Sequence, residues 1–532
     1  MEECDYVVVG AGSAGCLLAN RLSERTGTRV CLLEAGGRDN WIWFHVPIGY
    51  IFAIGNPRAD WMFKTELEPG LGDRSINYPR GRVLGGSSSI NAMIYMRGQR
   101  ADYDHWRQLG LPGWGWDDVL PMFRRHGDHF LGATEHHGSG GELRVEPPRV
   151  RWDLLDAFRE AAILSGIPAT PDFNTGDNEG VAYFQVTQKN GRRWSAARGF
   201  LKPAVNRPNL AVHTHALAQR IVFDGLRAVG VEFIKDGVRR EVRATKEVIL
   251  SCGAVGSPHL LQLSGVGNPD LLARHGIAVV HDLPGVGENL QDHLQLRPMF
   301  RVQGVRTLNE EYRSWRHRAV MGAQYLLTRR GPLTMAPSQL GAFARSSPEY
   351  ETPNLQFHVQ PLSLERFGEP LHTFPAFTAS VCNLRPTSRG SIRLNSPDPA
   401  VPPSIRLNAL TTLEDERVAC DSLRLVRRIV GQAPLQAFHP EEFKPGAELQ
   451  SDAELLAGAR AIGTTIFHPV GTAKMGTDGD RMAVTDARLR VRGLHGLRVV
   501  DASIMPSIVS GNTNAPTLMI AEKGAAMILA DP

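Results

Sequence analysis

Cysteine is scarce in this sequence. Six residues, Cys4, Cys16, Cys31, Cys252, Cys382 and Cys420, are spread over 532 positions. None forms a CxxC pair, which argues against a thiolate zinc site. Cys16 and Cys31 fall in apolar helix and strand patterns and read as buried thiols. Sparse cysteine suits a reducing compartment. Long apolar runs are missing too: nothing approaches the roughly 18 uncharged residues of a membrane span. The first residues lack the basic region, apolar stretch and cleavage site of a secretory signal. A soluble, cytoplasmic protein is the expectation. Charge of one sign is also lacking, since the net charge is only +4 and no basic arm stands out. A nucleic-acid partner is therefore not expected. Neither GxSxG nor HExxH occurs, so neither a serine hydrolase nor a zinc hydrolase is indicated, and no metal site is expected. No internal repeat or low-complexity tract is present.

What remains is an ordinary globular composition, 42% hydrophobic and 21% charged. The length exceeds one ordinary core, so two domains are the default. Tyr6–Val9 reads as a buried strand, Cys16–Leu22 as a helix and Arg29–Leu33 as a second buried strand. Together they make a βαβ unit. Helical patterns follow to about residue 205. Strand-like runs recur at Leu210–His213, Gly230–Phe233 and Glu247–Leu250. Further strands are expected at Leu355–Gln360 and Ser391–Leu394, with a turn at Asn395–Pro399. The last segment reads as a strand at Leu497–Val500 and a helix from Pro516 to Leu529. Glu310–Arg330 reads as one basic, amphipathic helix, either a solvated face or a docking surface for a membrane or electron acceptor.

The first turn carries the chemistry. Gly10, Gly12 and Gly15 form GxGxxG around Ala11, Ser13 and Ala14, between strand and helix. Gly10 permits the tight turn, Gly12 lets backbone approach a pyrophosphate, and Gly15 lets helix and strand pack closely. The helix N-terminus offers unpaired N–H groups and a positive dipole end to phosphates. Glu34, followed by Ala35, ends the second strand about 20 residues later, where a carboxylate accepts from ribose hydroxyls and repels a 2′-phosphate. FAD or NAD is favoured over NADP, and the motif's place at the start of the chain leans towards FAD.

Four further segments resemble the glucose–methanol–choline (GMC) oxidoreductase family. They are Gly81–Ala92, Gly253–Gly267, His468–Thr472 with Met475-Gly476, and Val500–Pro506 with Gly511–Thr517. They stand in family order, and the general look is that of the bacterial choline-dehydrogenase-like alcohol dehydrogenases. The resemblance implies an α/β fold: a Rossmann-like FAD-binding domain with an α+β substrate-binding domain. The first would come from residues 1–155, 206–296 and 463–532, the second from 156–205 and 297–462. On the FAD side the resemblance places Trp61, Arg82, Val83, Gly86, Asn91, Ala92, Met93, Ile94, Val222, Phe467, Asp501, Ala502, Asn514 and Pro516. Trp61 also reads as a core tryptophan, and Val222 as a plain strand valine. Some family members carry a flavin-linked His where this chain has Ile90. Ile90 cannot form that bond, so FAD is expected to be non-covalent. Pro516 suits the first turn of a helix whose N-terminus would face the flavin.

Alcohol oxidation needs an acceptor for the hydroxyl proton and one for the hydride. Imidazole titrates near neutrality and suits the first task. By resemblance His468 is the general base and Asn512 its partner, with Asn514 as the rival two positions on. His358 resembles a family histidine lining the substrate pocket, and a solvent-facing strand histidine is its other reading. Ile466 is the kind of apolar residue that shapes an oxygen site. The leading expectation is FAD-dependent oxidation of a small-molecule primary alcohol, with electrons passed to a quinone, a carrier protein or O2. An alcohol oxidase is the close alternative. An FAD-containing lyase or a non-enzymatic flavin binder stands further off, and the His468/Asn512 pair argues against a photoenzyme.

Overall fold

The computed structural model describes residues 2–531. Glu2–Val9 and Val30–Leu33 run parallel, from Tyr6 opposite Val30 to Val9 opposite Leu33. Their continuous apolar runs are buried, as parallel strands covered on both faces require. The seven-stranded sheet runs Leu210–His213, Val30–Leu33, Glu2–Val9, Val238–Leu250, Arg227–Lys235, Ala216–Asp224, with Leu497–Val499 paired to Val238–Leu250. Val238–Leu250 changes the sheet's direction. It is antiparallel to Arg227–Lys235 but parallel to Glu2–Val9 and Leu497–Val499. The first helix, Ser13–Leu22, packs on the last, Asn514–Ala530. Arg21 Nε donates to Glu522 Oε1 at 2.8 Å in their buried contact, so the two ends of the chain share one core.

The second sheet has eight strands. It runs Glu441–Lys444, Met299–Arg301, Ala376–Asn383, Leu355–Gln360, Leu340–Ala344, Gly180–Tyr183, each antiparallel to the next. Leu294–Leu296 pairs with both Ala376–Asn383 and Thr464–Thr465. Those two short strands lie just outside 297–462, because pairing continues through the joints where the chain crosses between sheets. The sheet alternates cleanly. Leu355, Phe357 and Val359 join the apolar cluster that also holds helices Asp153–Leu164 and Leu413–Val430. Gln356, His358 and Gln360 point to the opposite face and are equally buried.

Several expected elements differ in detail. Between 100 and 205 the helices Arg100–Gln108, Trp116–His126 and Asp153–Leu164 are interrupted by strands, and Gly180–Tyr183 joins the second sheet. The expected helix Glu310–Arg330 is two helices, Leu308–Arg313 and Trp315–Thr328. Ser314 breaks it by capping the second, its Oγ accepting from His317 N at 3.3 Å. Ser391–Arg393 stops one residue early and pairs with Ser404–Arg406 across the expected turn. The last helix starts two residues before Pro516, which sits in its first turn, where a missing N–H costs nothing. Among the described residues no helix is long and apolar enough to cross a membrane.

Candidate active site

One cavity of about 430 Å³ is lined by Gly10, Gly12 and Glu34 from the first sheet and by Gln295, His358 and Gln360 from the second. Its dinucleotide end is built from backbone. Gly10 turns at φ +95°, and a Cβ on Gly15 would stand 1.8 Å from the Gly10 carbonyl oxygen. A Cβ on Gly86 would come within 2.7 Å of Gly12 Cα, so two backbone segments meet there. Helices Ser13–Leu22 and Asn514–Ala530 both begin at the cavity without a side-chain cap. Ser13 Oγ donates to Asn514 Oδ1 at 2.8 Å and ties the two N-termini together.

Side chains complete this wall. Glu34 accepts from Ala11 N and Gly36 N at 2.9 and 2.8 Å, and burial pushes its carboxyl up to about 7. Ala14, Ala35, Arg82, Ala92, Met93, Ile94 and Ala502 also line the cavity. Trp61 lines it with the Arg82 guanidinium 4.7 Å over its ring and Phe63 stacked at 5.6 Å. Asn91 Oδ1 accepts from Arg193 Nη1 and Met93 N, both at 2.9 Å. Asp501 accepts from Gly253 N, Ser257 Oγ and Ser503 N. Gly15, Val83 and Pro516 stand behind the lining rather than in it. Val222 does not reach the cavity. Its strand touches the cavity at Ala216, Leu217 and Ala218, and by Val222 it has run on past the opening.

At the other end, His468 and Asn512 meet. His468 Nε2 lies 3.1 Å from Asn512 Nδ2. His468 Nδ1 lies 3.1 Å from Nδ1 of His293, whose Nε2 is 3.1 Å from the Leu384 carbonyl oxygen. A carbonyl only accepts, so His293 Nε2 carries a proton. Burial holds His293 down at about 4, so its ring is neutral and its Nδ1 must accept. His468 Nδ1 then donates to it, and His468 Nε2 is left with a lone pair facing Asn512 and the cavity. The Asn512 amide is oriented in turn by Gln356 Nε2, which donates to its Oδ1 at 3.1 Å. Burial, with His293, His358 and Arg80 nearby, holds the His468 imidazole well below its ordinary range and keeps it neutral.

The backbone around His468 is braced. His468 N donates to Asp292 Oδ1 at 2.8 Å, and Asp292 also accepts from Tyr78 and Thr465. Phe467, one residue earlier, has φ +70°, a strained conformation for a bulky side chain. Its carbonyl accepts from Arg80 Nη2 at 2.6 Å. Ile466 and Phe467 both line the cavity. So does His358, buried, with both ring nitrogens unpartnered and its pKa held at about 3 by burial.

The structure brings the two expected residues, His468 and Asn512, together, and adds His293, Asp292 and Gln356, which the sequence did not single out. Asp292-His293 lies at the joint between the sheets, in a stretch that alternates leucine with polar residues, and nothing sets the pair apart there. Gln356 carried no signal beyond its place two residues before His358.

The GMC oxidoreductase family model matches residues 4–295 with its N-terminal part and 386–521 with its C-terminal part. The chain belongs to the GMC oxidoreductase family. Its relatives cover it almost end to end. Alcohol dehydrogenase [acceptor] of Pseudomonas putida is 44% identical, over 99% of this chain and 95% of that protein. Human mitochondrial choline dehydrogenase is 43% identical, over 100% of this chain and 90% of that protein. Among solved structures, an FAD-dependent oxidoreductase from Chaetomium thermophilum superposes with a TM-score of 0.91 at 27% identity, covering 99% of each chain. GMC oxidoreductases are flavoproteins and act as oxidoreductases on CH–OH donors. The residues present fit such a cofactor: a glycine cradle that a Cβ would fill and two uncapped helix N-termini open onto one cavity.

Proposed function

We propose that this GMC oxidoreductase binds FAD non-covalently and oxidises a primary alcohol to an aldehyde, with His468 as general base. Bound flavin would supply the hydride acceptor. Gly10, Gly12, Ser13, Glu34 and Asn514 would hold its dinucleotide part, and Trp61, Asn91 and Ala92 its ring. Ile90 is aliphatic and buried and has no atom for a flavin bond, which supports dissociable cofactor. In this reading residues 1–155, 206–296 and 463–532 carry the flavin, while 156–205 and 297–462 shape the substrate side.

The observation that carries the proposal is the chain of contacts that leaves His468 Nε2 beside Asn512 at the cavity while His468 Nδ1 faces His293 Nδ1. The alcohol hydroxyl places its oxygen beside this pair, within hydrogen-bond reach of both His468 Nε2 and Asn512 Nδ2. Asn512 donates to that oxygen, and His468 takes its proton. His293 keeps the accepting nitrogen free by holding the other one protonated, and His358 remains neutral. Electrons then leave to a quinone or another carrier, which the acceptor-dependent Pseudomonas putida relative supports. Six free cysteines without a disulfide suit work in the cytoplasm.

The test is steady-state oxidation of a primary-alcohol series by the flavin-loaded protein, with a dye or short-chain quinone as acceptor and oxygen uptake measured in parallel. Alcohol-dependent dye reduction that outpaces oxygen uptake is expected. Equal rates with oxygen alone would make the protein an oxidase. A flavin that no alcohol reduces, in a protein that splits a cyanohydrin into aldehyde and cyanide, would make it a lyase.

A further inference from the structure

Helix Trp315–Thr328 is held to the protein by a narrow face. Met321 and Tyr325, one turn apart, are its buried residues, and Tyr325 OH donates to the Gly191 carbonyl at 3.1 Å. The helical repeat puts Trp315, Ala319, Val320, Ala323, Leu326 and Leu327 on the side turned away from that anchor, with exposed Arg316 among them, its guanidinium over the Trp315 ring. A surface helix ordinarily shows polar residues there. Here Leu327 is 85% exposed, Leu326 69%, Trp315 68% and Val320 63%.

The charges are as one-sided as the apolar face. From Tyr312 to Arg330 there are five arginines, Arg313, Arg316, Arg318, Arg329 and Arg330, and no acid. The hairpin at Gly191, on which Tyr325 rests, adds exposed Lys189 and Arg192. The nearest acids precede the helix: Glu310, and Glu311, which pairs with Arg306 at 3.3 Å. An outward face of exposed leucines, valine and tryptophan, with arginine among and around them, has the makeup of a helix lying in a lipid interface.

We propose that Trp315–Thr328 docks the enzyme onto a bilayer surface bearing anionic lipid. Its outward leucines and tryptophan enter the headgroup–acyl boundary while the arginines meet lipid phosphates. A second copy of this chain fits poorly, since a two-fold contact would set five arginines against five arginines. Docking would place the protein beside bilayer-dissolved quinone, an acceptor that an aqueous enzyme does not readily meet.

The experiment is flotation of the flavin-loaded enzyme with vesicles of phosphatidylcholine alone or of an equal mixture with phosphatidylglycerol. Wild type should float with the mixed vesicles at low salt, remain behind with phosphatidylcholine alone, and lose roughly tenfold in binding at high salt. Leu326→Glu/Leu327→Glu should stop floating yet keep its yellow colour, melting temperature and dye-linked turnover, because both side chains are exposed. Arg316→Glu/Arg318→Glu should behave likewise and keeps the test open if the leucine variant fails to fold. Wild type that stays behind with the mixed vesicles would overturn the proposal. So would leucine and arginine variants that float as well as wild type, or a dimer that the leucine variant splits.

Discussion

The two sheets obey the same side-chain alternation and spend it differently. In Tyr6–Val9 and Val30–Leu33 both faces are apolar and buried, so nothing but backbone is left to meet a ligand. The dinucleotide end of the cavity is accordingly made of glycines and helix N-termini. In Leu355–Gln360 one face is apolar and the other carries Gln356, His358 and Gln360, all buried. There side chains make the site. A ligand held by backbone demands particular residues at fixed spacing. A ligand held by side chains can be met by many sequences.

The comparison is broken most forcefully at the side-chain end. His468→Ala should keep its flavin and lose roughly 10²-fold or more in turnover, as for any lost general base. Near-normal turnover in the stopped-flow would move the base elsewhere, with His358 the next imidazole in the cavity.

Charge sharpens the same end. The rings of Tyr50, Trp61, Phe63, Phe367 and Phe467 line the cavity, and cations already cover Trp61 (Arg82) and Phe367 (the buried Arg297 guanidinium at 4.6 Å), while Trp61 and Phe63 stack on each other. Among the described residues lining the cavity the carboxylates are Glu34 and Asp501, both already accepting from neighbours. A quaternary ammonium needs an open aromatic face or a carboxylate. So kcat/KM for 3,3-dimethylbutan-1-ol, the uncharged isostere of choline, should exceed that for choline by roughly 100-fold, the scale of an unpaired buried charge. The reverse preference would show that the cationic wall does not govern substrate choice.

The backbone end is broken by a single methyl group. Gly15→Ala drives Cβ towards the Gly10 carbonyl, and the strain should cost about 1–3 kcal/mol and leave the purified protein colourless. A yellow Gly15→Ala protein of unchanged melting temperature would remove the close packing from the account.

His293 tests the link behind the base. His293→Phe removes the acceptor for His468 Nδ1–H, and kcat should fall roughly tenfold with little change in KM. His293→Gln restores an acceptor and should recover part of the loss. A structural role alone would give equal losses for both.

The last test is of stability. Burial holds His129, His259 and His293 at about 4 and His358 at about 3, against 6.5 unfolded. Unfolding between those values therefore takes up protons. Stability is full above pH 6.5 and falls as pH drops towards about 4, which a melting series across that window should show. A flat series would mean that these rings are protonated in the folded chain.

This contrast also explains how much was legible in the sequence. The glycine turn, Glu34 and strand Tyr6–Val9 could be read directly, because φ > 0 and close approach leave few choices of residue. His468 and Asn512 became readable through their flanking motifs. Val222 stands outside the cavity lining while Ala216–Ala218 on its strand are in it, and strand register against a cavity leaves no mark in composition. His293 and Gln356 were invisible for a related reason: they matter through pairing with residues more than 150 positions away. The break at Ser314 was legible in principle, as serine is a preferred helix cap.

The central claim is that this cavity holds FAD that an alcohol reduces. The most direct test is an anaerobic absorption spectrum of the purified protein before and after adding a panel of primary alcohols. The account predicts a yellow protein whose flavin band bleaches with at least one uncharged alcohol and stays bleached until an acceptor is supplied. A colourless protein that cannot be reconstituted with FAD, or a yellow one that no alcohol bleaches, would contradict it.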